Sequence, residues 1–146
     1  MSFPDIFDVS KTEKTMSVIF NSTMKNVDQV CIKTMRFLSD KTHGIKGHFF
    51  AIHLVLREGL TNAVKHGNKG DPAKVIKYLI KIDSQETIHM EIEDQGKGFD
   101  WRKIEEKSPD DTDEHGRGLM IMKQYFSSYQ YNEKGNRLIL KKDILS

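Results

Sequence analysis

Val75-Ile76-Lys77-Tyr78-Leu79-Ile80-Lys81-Ile82-Asp83-Ser84-Gln85-Glu86-Thr87-Ile88-His89-Met90-Glu91-Ile92-Glu93-Asp94 reads as two strands around a four-residue break, Asp83 to Glu86. A break of that length suits a β-hairpin, and a hairpin commits its strands to antiparallel pairing. Ser128 to Asn132 and Arg137 to Lys142 repeat the arrangement around Glu133-Lys134-Gly135-Asn136. Upstream, Met16, Val18 and Phe20 alternate within Lys14 to Asn21, as in a half-buried strand. Asn21 or Ser22 then reads as a helix cap, and Val27, Val30, Cys31, Thr34, Met35 and Leu38 recur at helical spacing up to about Ser39. After the connector His43 to Gly47, a second helix is predicted from about His48 to His66, stopped by Gly67 as a left-handed cap. A third runs from Gly118 to about Phe126. The order β-α-α-β-β-loop-α-β-β predicts an α+β two-layer sandwich, with helices on one face of a mixed, mostly antiparallel sheet. Residues 1–13 lack periodicity and are expected to form a loosely ordered arm, with 14–146 as a single domain.

Composition excludes several functions. The 146 residues are 37% hydrophobic and 30% charged, which suits one soluble globular domain with a sizeable core. A net charge of +2 argues against a dedicated nucleic-acid binder. No stretch approaches the ~18 apolar residues of a membrane span. Cys31 has no partner in the chain, so an intramolecular disulfide and a four-cysteine zinc site are both excluded. It falls in an apolar helical pattern and reads as a small buried hydrophobe. A reducing cytoplasm is the expected compartment.

Three constellations carry chemistry. On the second helix, Phe49, Ile52, Leu56, Gly59, Leu60 and Ala63 share an apolar face, and Glu58, Asn62 and His66 run along its edge at i, i+4 and i+8. An amide oxygen can ligate a hard cation while a carboxylate one turn away handles a proton; a solvated flank has the same spacing. Glu93-Asp94-Gln95-Gly96-Lys97-Gly98-Phe99-Asp100 follows a strand. Its glycines let backbone approach a ligand, and Asp94 can accept a hydrogen bond from a ligand amino group; a plain turn reads the same way. His115-Gly116-Arg117-Gly118-Leu119 opens a helix, whose free N–H groups and dipole suit an anion beside the Arg117 charge, although a capped helix needs no ligand. Walker A fails between Gly67 and Lys74, Trp101 stands where a dinucleotide fingerprint needs its third glycine, and H-E-x-x-H is absent. His43, His48 and His53 do not share a helix face.

In this order, Glu58-x-x-x-Asn62-Ala63-x-x-His66-Gly67, Asp94-x-Gly96-x-Gly98-Phe99 and Gly116-x-Gly118-Leu119 resemble the N, G1 and G2 boxes of the GHKL (Bergerat-fold) ATP-binding domain. The resemblance spans roughly residues 15–142, and Glu58-Gly59-Leu60-Thr61-Asn62-Ala63 is most similar to the bacterial anti-sigma-factor serine/threonine kinases. The chain leaves no room for the separate phospho-acceptor hairpin of histidine kinases. The resemblance implies that Asn62 ligates Mg²⁺ on the ATP phosphates and that Asp94 binds the adenine amino group. Gly96 and Gly98 would shape the pocket, and Gly116, Arg117 and Gly118 would face the phosphates. His66, Phe99 and Leu119 complete the implied ATP-binding set. Glu58 matches the general base, and the segment from about Glu105 to His115 a lid. That segment is acidic: six of the 21 acidic residues and one of the 23 basic ones lie between Glu105 and Glu114. The implied partners are an anti-sigma-factor antagonist as phosphorylation substrate, a sigma factor, and a second copy of the chain, with neither nucleic acid nor membrane. Met120 and Met122 make the third box lean in small residues, which leaves open a regulatory module that binds ATP without transferring phosphate.

Overall fold

The alternation in Val75–Ile82 decides which face of the sheet is inside. The computed structural model describes residues 5–39, 41, 44–83, 86–100, 102 and 114–144, and of 114–117 only the backbone. Six strands form one sheet: β1 (Phe7–Lys11), β2 (Thr15–Asn21), β3 (Val75–Ile82), β4 (Thr87–Glu93), β5 (Ser128–Tyr131) and β6 (Arg137–Asp143). Ile76, Tyr78 and Ile80 of β3 face inward with Val18, Phe20, Met90, Ile92 and Leu140, all fully or nearly buried. Lys77 and Lys81 point to the opposite, exposed face. Among the described residues, α1 (Met24–Leu38), α2 (Phe49–Asn62) and α3 (Glu114–Tyr125) cover the inner face, with α2 packed against both others.

Both predicted hairpins are present, with Ile82 opposite Ile88 and Tyr131 opposite Leu138. The strand order is β1-β2-β3-β4-β6-β5. Every described pairing is antiparallel, in keeping with the expected α+β sandwich on a mostly antiparallel sheet. The reason lies in the connections. The β1–β2, β3–β4 and β5–β6 pairs join strands consecutive in the chain through short connections, which commits them to antiparallel pairing. On the helical layer, Asp28 of α1 pairs with Arg57 of α2 at 2.7 Å.

The expected loose arm fails at Phe7–Lys11, which forms the edge strand β1 on β2. Beyond Phe7, whose ring lies 6.2 Å from that of Phe20, its residues are exposed, so no alternation marks the strand in the sequence. The cap of α1 is Thr23, whose Oγ1 accepts from the Asn26 N–H at 3.2 Å, and not Asn21 or Ser22. Asn21 is occupied elsewhere: its Nδ2 donates to the Pro72 carbonyl at 2.9 Å. Cys31 is buried as expected, and burial pushes its thiol up to about 11, which keeps it protonated and inert. Tyr78 ties sheet to helix through a buried 2.9 Å hydrogen bond with the Thr34 hydroxyl. Among the described residues, no helix is long and apolar enough to cross a membrane.

Candidate functional site

Gly59 sets how closely α2 approaches the sheet. A Cβ there would lie 2.7 Å from Ile92 Cδ1 and 3.3 Å from Leu138 Cδ2, so its absence lets the helix settle onto β4 and β6. One turn further, α2 changes register into a single π-helical turn, Ala63–Gly67. The Asn68 N–H donates to the Ala63 carbonyl at 2.8 Å, which closes that turn. Gly67 is therefore not the left-handed cap the sequence suggests; Lys69 (φ 54°) and Gly70 (φ 70°) adopt that conformation. Gly67 serves close approach instead. A Cβ on it would collide with the Asp94 carboxylate, and one on Gly96 would collide with the Gly67 carbonyl.

Asp94 follows β4 directly, where the ladder ends and its side chain turns toward α2. Its N–H donates to the Asn136 carbonyl at 2.9 Å, and its Oδ1 accepts from the Gly96 N–H at 2.8 Å. Burial, reinforced by Glu93, raises the carboxyl above the ordinary aspartate range, against the Gly96 N–H, Lys134 and Lys74. Gly98 takes φ 83° and lies so close to the Lys134 carbonyl that a Cβ there would have no space. Only glycine satisfies both demands.

These elements line a cleft with about 380 Å³ of empty space, part of it open to solvent. Ala63, Ile92 and Leu138 line its apolar wall. Phe99 and Tyr131 meet edge to face across it, centroids 4.9 Å apart at 86°. Burial, with the nearby Asp94 charge, pushes the Tyr131 hydroxyl well above its usual range. Asn62, His66, Gly67, Asp94 and Gly98 line the cavity together, so the first two sequence constellations meet in space.

Asn62 is 6% exposed, yet neither its Oδ1 nor its Nδ2 has a hydrogen-bond partner among the described residues. An amide buried with both polar atoms unsatisfied is costly unless a ligand completes it. Its free oxygen is a hard donor of the kind Mg²⁺ takes. Gly118 faces this residue and Glu58: a Cβ on it would lie 2.8 Å from Asn62 Nδ2 and 3.3 Å from Glu58 Oε2. Glu58 is half-buried one turn before Asn62 and does not itself line the cavity. Helix α3 starts at Glu114, four residues earlier than expected, so Gly116 and Arg117 lie in its first turn rather than ahead of it. The Arg117 side chain and the expected lid, apart from the helical backbone at 114–115, lie outside the described residues. Leu119 is 3% exposed in the core and does not line the cavity. Tyr131, Asn136 and Leu138 are lining residues that the sequence did not mark. A signal existed in the turn before β6: Asn132 Oδ1 accepts from the Gly135 and Asn136 N–H groups at 2.8 and 3.0 Å, a local geometry asparagine favours.

The family model for the histidine kinase-like ATPase domain matches residues 20–142. The chain is similar to an anti-sigma F factor of Anoxybacillus flavithermus, 31% identical over 91 residues, covering 58% of this chain and 60% of that relative. It is also similar to an anti-sigma F factor of Clostridium perfringens, 30% identical over 100 residues, covering 62% and 69% of the two chains. Among solved structures, the histidine kinase domain of a blue-light activated kinase from Erythrobacter litoralis EL346 superposes with a TM-score of 0.50. That match is at 15% identity, over 84% of this chain and 59% of the other, and it shows a shared fold.

Proposed function

The chain belongs to the histidine kinase-like ATPase family, and from that premise we propose that it is an ATP- and Mg²⁺-dependent protein serine/threonine kinase acting as an anti-sigma factor. Its substrate is a small anti-sigma-factor antagonist, it holds a sigma factor inactive, and it works in the cytoplasm. The observation that carries this reading is the pairing of a half-buried Asp94 carboxylate within the cavity with an unsatisfied Asn62 amide one turn from Glu58. The names of the anti-sigma F relatives support the choice of partners.

Each residue has a task in that reaction. Asp94 accepts the adenine amino group, with Ile92, Leu138 and the Phe99–Tyr131 pair around the base. Asn62 Oδ1 would hold Mg²⁺, which when bound supplies positive charge against that of the phosphates. Gly118 lets α3 come close to Asn62 and Glu58, the side on which the terminal phosphate and the incoming hydroxyl would meet. The serine or threonine oxygen attacks the γ-phosphorus while its proton passes to the Glu58 carboxylate. The bond from phosphorus to the β–γ bridging oxygen breaks, and ADP leaves. Little covalent help is needed, so position and charge supply most of the catalysis.

The test is incubation with labelled ATP, Mg²⁺ and candidate antagonist proteins, followed by identification of phosphoserine or phosphothreonine. Glu58→Gln should keep ATP affinity and reduce transfer by about 10²-fold or more. Unchanged transfer in that variant removes Glu58 as the base. ATP binding with no transfer to any partner by the unsubstituted protein leaves the regulatory module.

A further inference from the structure

Asn68 is fully buried, does not line the cavity, and belongs to none of the three boxes. Its side chain closes a ring of three hydrogen bonds. Asn68 Nδ2 donates to the Val75 carbonyl at 3.0 Å. The Val75 N–H donates to Gln95 Oε1 at 2.8 Å. The Gln95 N–H donates back to Asn68 Oδ1 at 2.8 Å. The Asn68 main chain is also engaged: its N–H reaches Ala63, and its carbonyl accepts from Asp71 at 3.1 Å. One residue thus joins the end of the π turn, the start of β3 and the segment after β4.

The Asp94–Gln95 peptide is held from both sides by this arrangement. Asn136 takes the near side, accepting from the Asp94 N–H at 2.9 Å and donating from Nδ2 to the Asp94 carbonyl at 3.1 Å. Asn68 takes the far side through the Gln95 N–H. With both ends of the peptide fixed, the Asp94 side chain has little backbone freedom, and Gly67 and Gly96 close in on it from the third direction. A carboxylate that discriminates by a single directional hydrogen bond needs such fixing, because an error of 1 Å forfeits the contact.

We propose that Asn68 is a positioning residue of the nucleotide site: it fixes the Asp94 carboxylate and thereby sets the preference for adenine over other purine bases, without touching the nucleotide. This rests on the reading of Asp94 as the acceptor of the adenine amino group. Gln95 is the second member of the device, closing the ring at Val75.

The test compares ATP with inosine triphosphate, which carries a carbonyl where adenine carries its amino group. Calorimetry on the full chain measures both affinities for the unsubstituted protein and for Asn68→Ala, Gln95→Ala, Asp94→Asn and the Asn68→Ala/Asp94→Asn pair. Asn68→Ala should lower the ATP-to-inosine-triphosphate preference about tenfold, equivalent to about 1.4 kcal/mol, and should do nothing further in the Asp94→Asn background. A lowered melting temperature with the base preference intact would overturn the proposal, as would additive effects in the pair. If Asn68→Ala does not fold, Gln95→Ala decides: its side chain is exposed, and it should lower the preference about threefold, with an unchanged preference overturning the proposal. Asp94→Asn that keeps the full preference for ATP shows a different failure. It removes the base reading of the cavity, and the role of Asn68 with it.

Discussion

The two ends of the cavity are built on opposite plans. At the Asp94 end, nearly every polar group is answered by the protein: Gly96, Asn136, Gln95 and Asn68 all bond to one another or to Asp94. At the Asn62 end, both polar atoms of a buried amide stand without a partner among the described residues, beside Glu58 and Gly118. The first end is preorganised for a fixed, neutral shape. The second holds back its hydrogen-bonding capacity for charged groups that arrive from solution. Affinity for the base is thereby separated from chemistry at the phosphates, and substitutions should separate them too.

The sharpest break is expected at the unsatisfied end. Asn62→Ala should reduce transfer by about 10²-fold or more and abolish the gain in ATP affinity that Mg²⁺ gives, leaving the value measured in chelator. Titrations with and without Mg²⁺ check this; an intact Mg²⁺ dependence would reassign the ligand. At the other end, Asp94→Asn should weaken ATP about 10- to 100-fold, the range for a hydrogen bond to a charged group. The raised carboxyl gives this prediction a pH signature. The carboxylate accepts the amino proton and the protonated acid does so poorly, so ATP affinity should fall on acidification, starting above the usual aspartate range, and the variant should lack that step. The sign for stability is opposite. A carboxyl raised in the folded chain favours folding while protonated and loses that contribution as pH rises through its folded pKa. Asp94→Asn without ligand should therefore melt no lower than the parent at neutral pH. The smallest effect belongs to a residue remote from both ends. Tyr78→Phe removes the bond to Thr34, costs about 1 kcal/mol, and should lower the melting temperature by ~2–4 °C with ATP affinity and transfer unchanged.

Sequence periodicity carried the helices, the hairpins and the stripe Glu58–Asn62–His66 because those signals are local. What it missed depends on distance in space. Gly67 next to a histidine at a helix end reads as a cap, and nothing near it in the chain announces that the Asp94 carboxylate presses against it. Asn68 looks like one more polar residue in a glycine- and lysine-rich turn, and its bonds to Val75 and Gln95 join positions 7 and 27 residues away. Leu119 matched a motif, but the third helix starts early and turns that side chain into the core. The edge strand β1 escaped because its exposed residues bury nothing that an alternating pattern would reveal.

The turn between β5 and β6 has a bearing on when the site comes into being. Asn136, which brackets Asp94, and Leu138, which lines the cavity, are supplied by the start of β6 and the turn before it. Until that strand docks, the cleft lacks the wall formed by Leu138 and the bracket that Asn136 provides for Asp94. Nucleotide can then be captured only after the final strand has docked between β4 and β5. Binding of ATP reports completion of the fold, and at 100 times its dissociation constant it adds about 2.7 kcal/mol to the finished state alone.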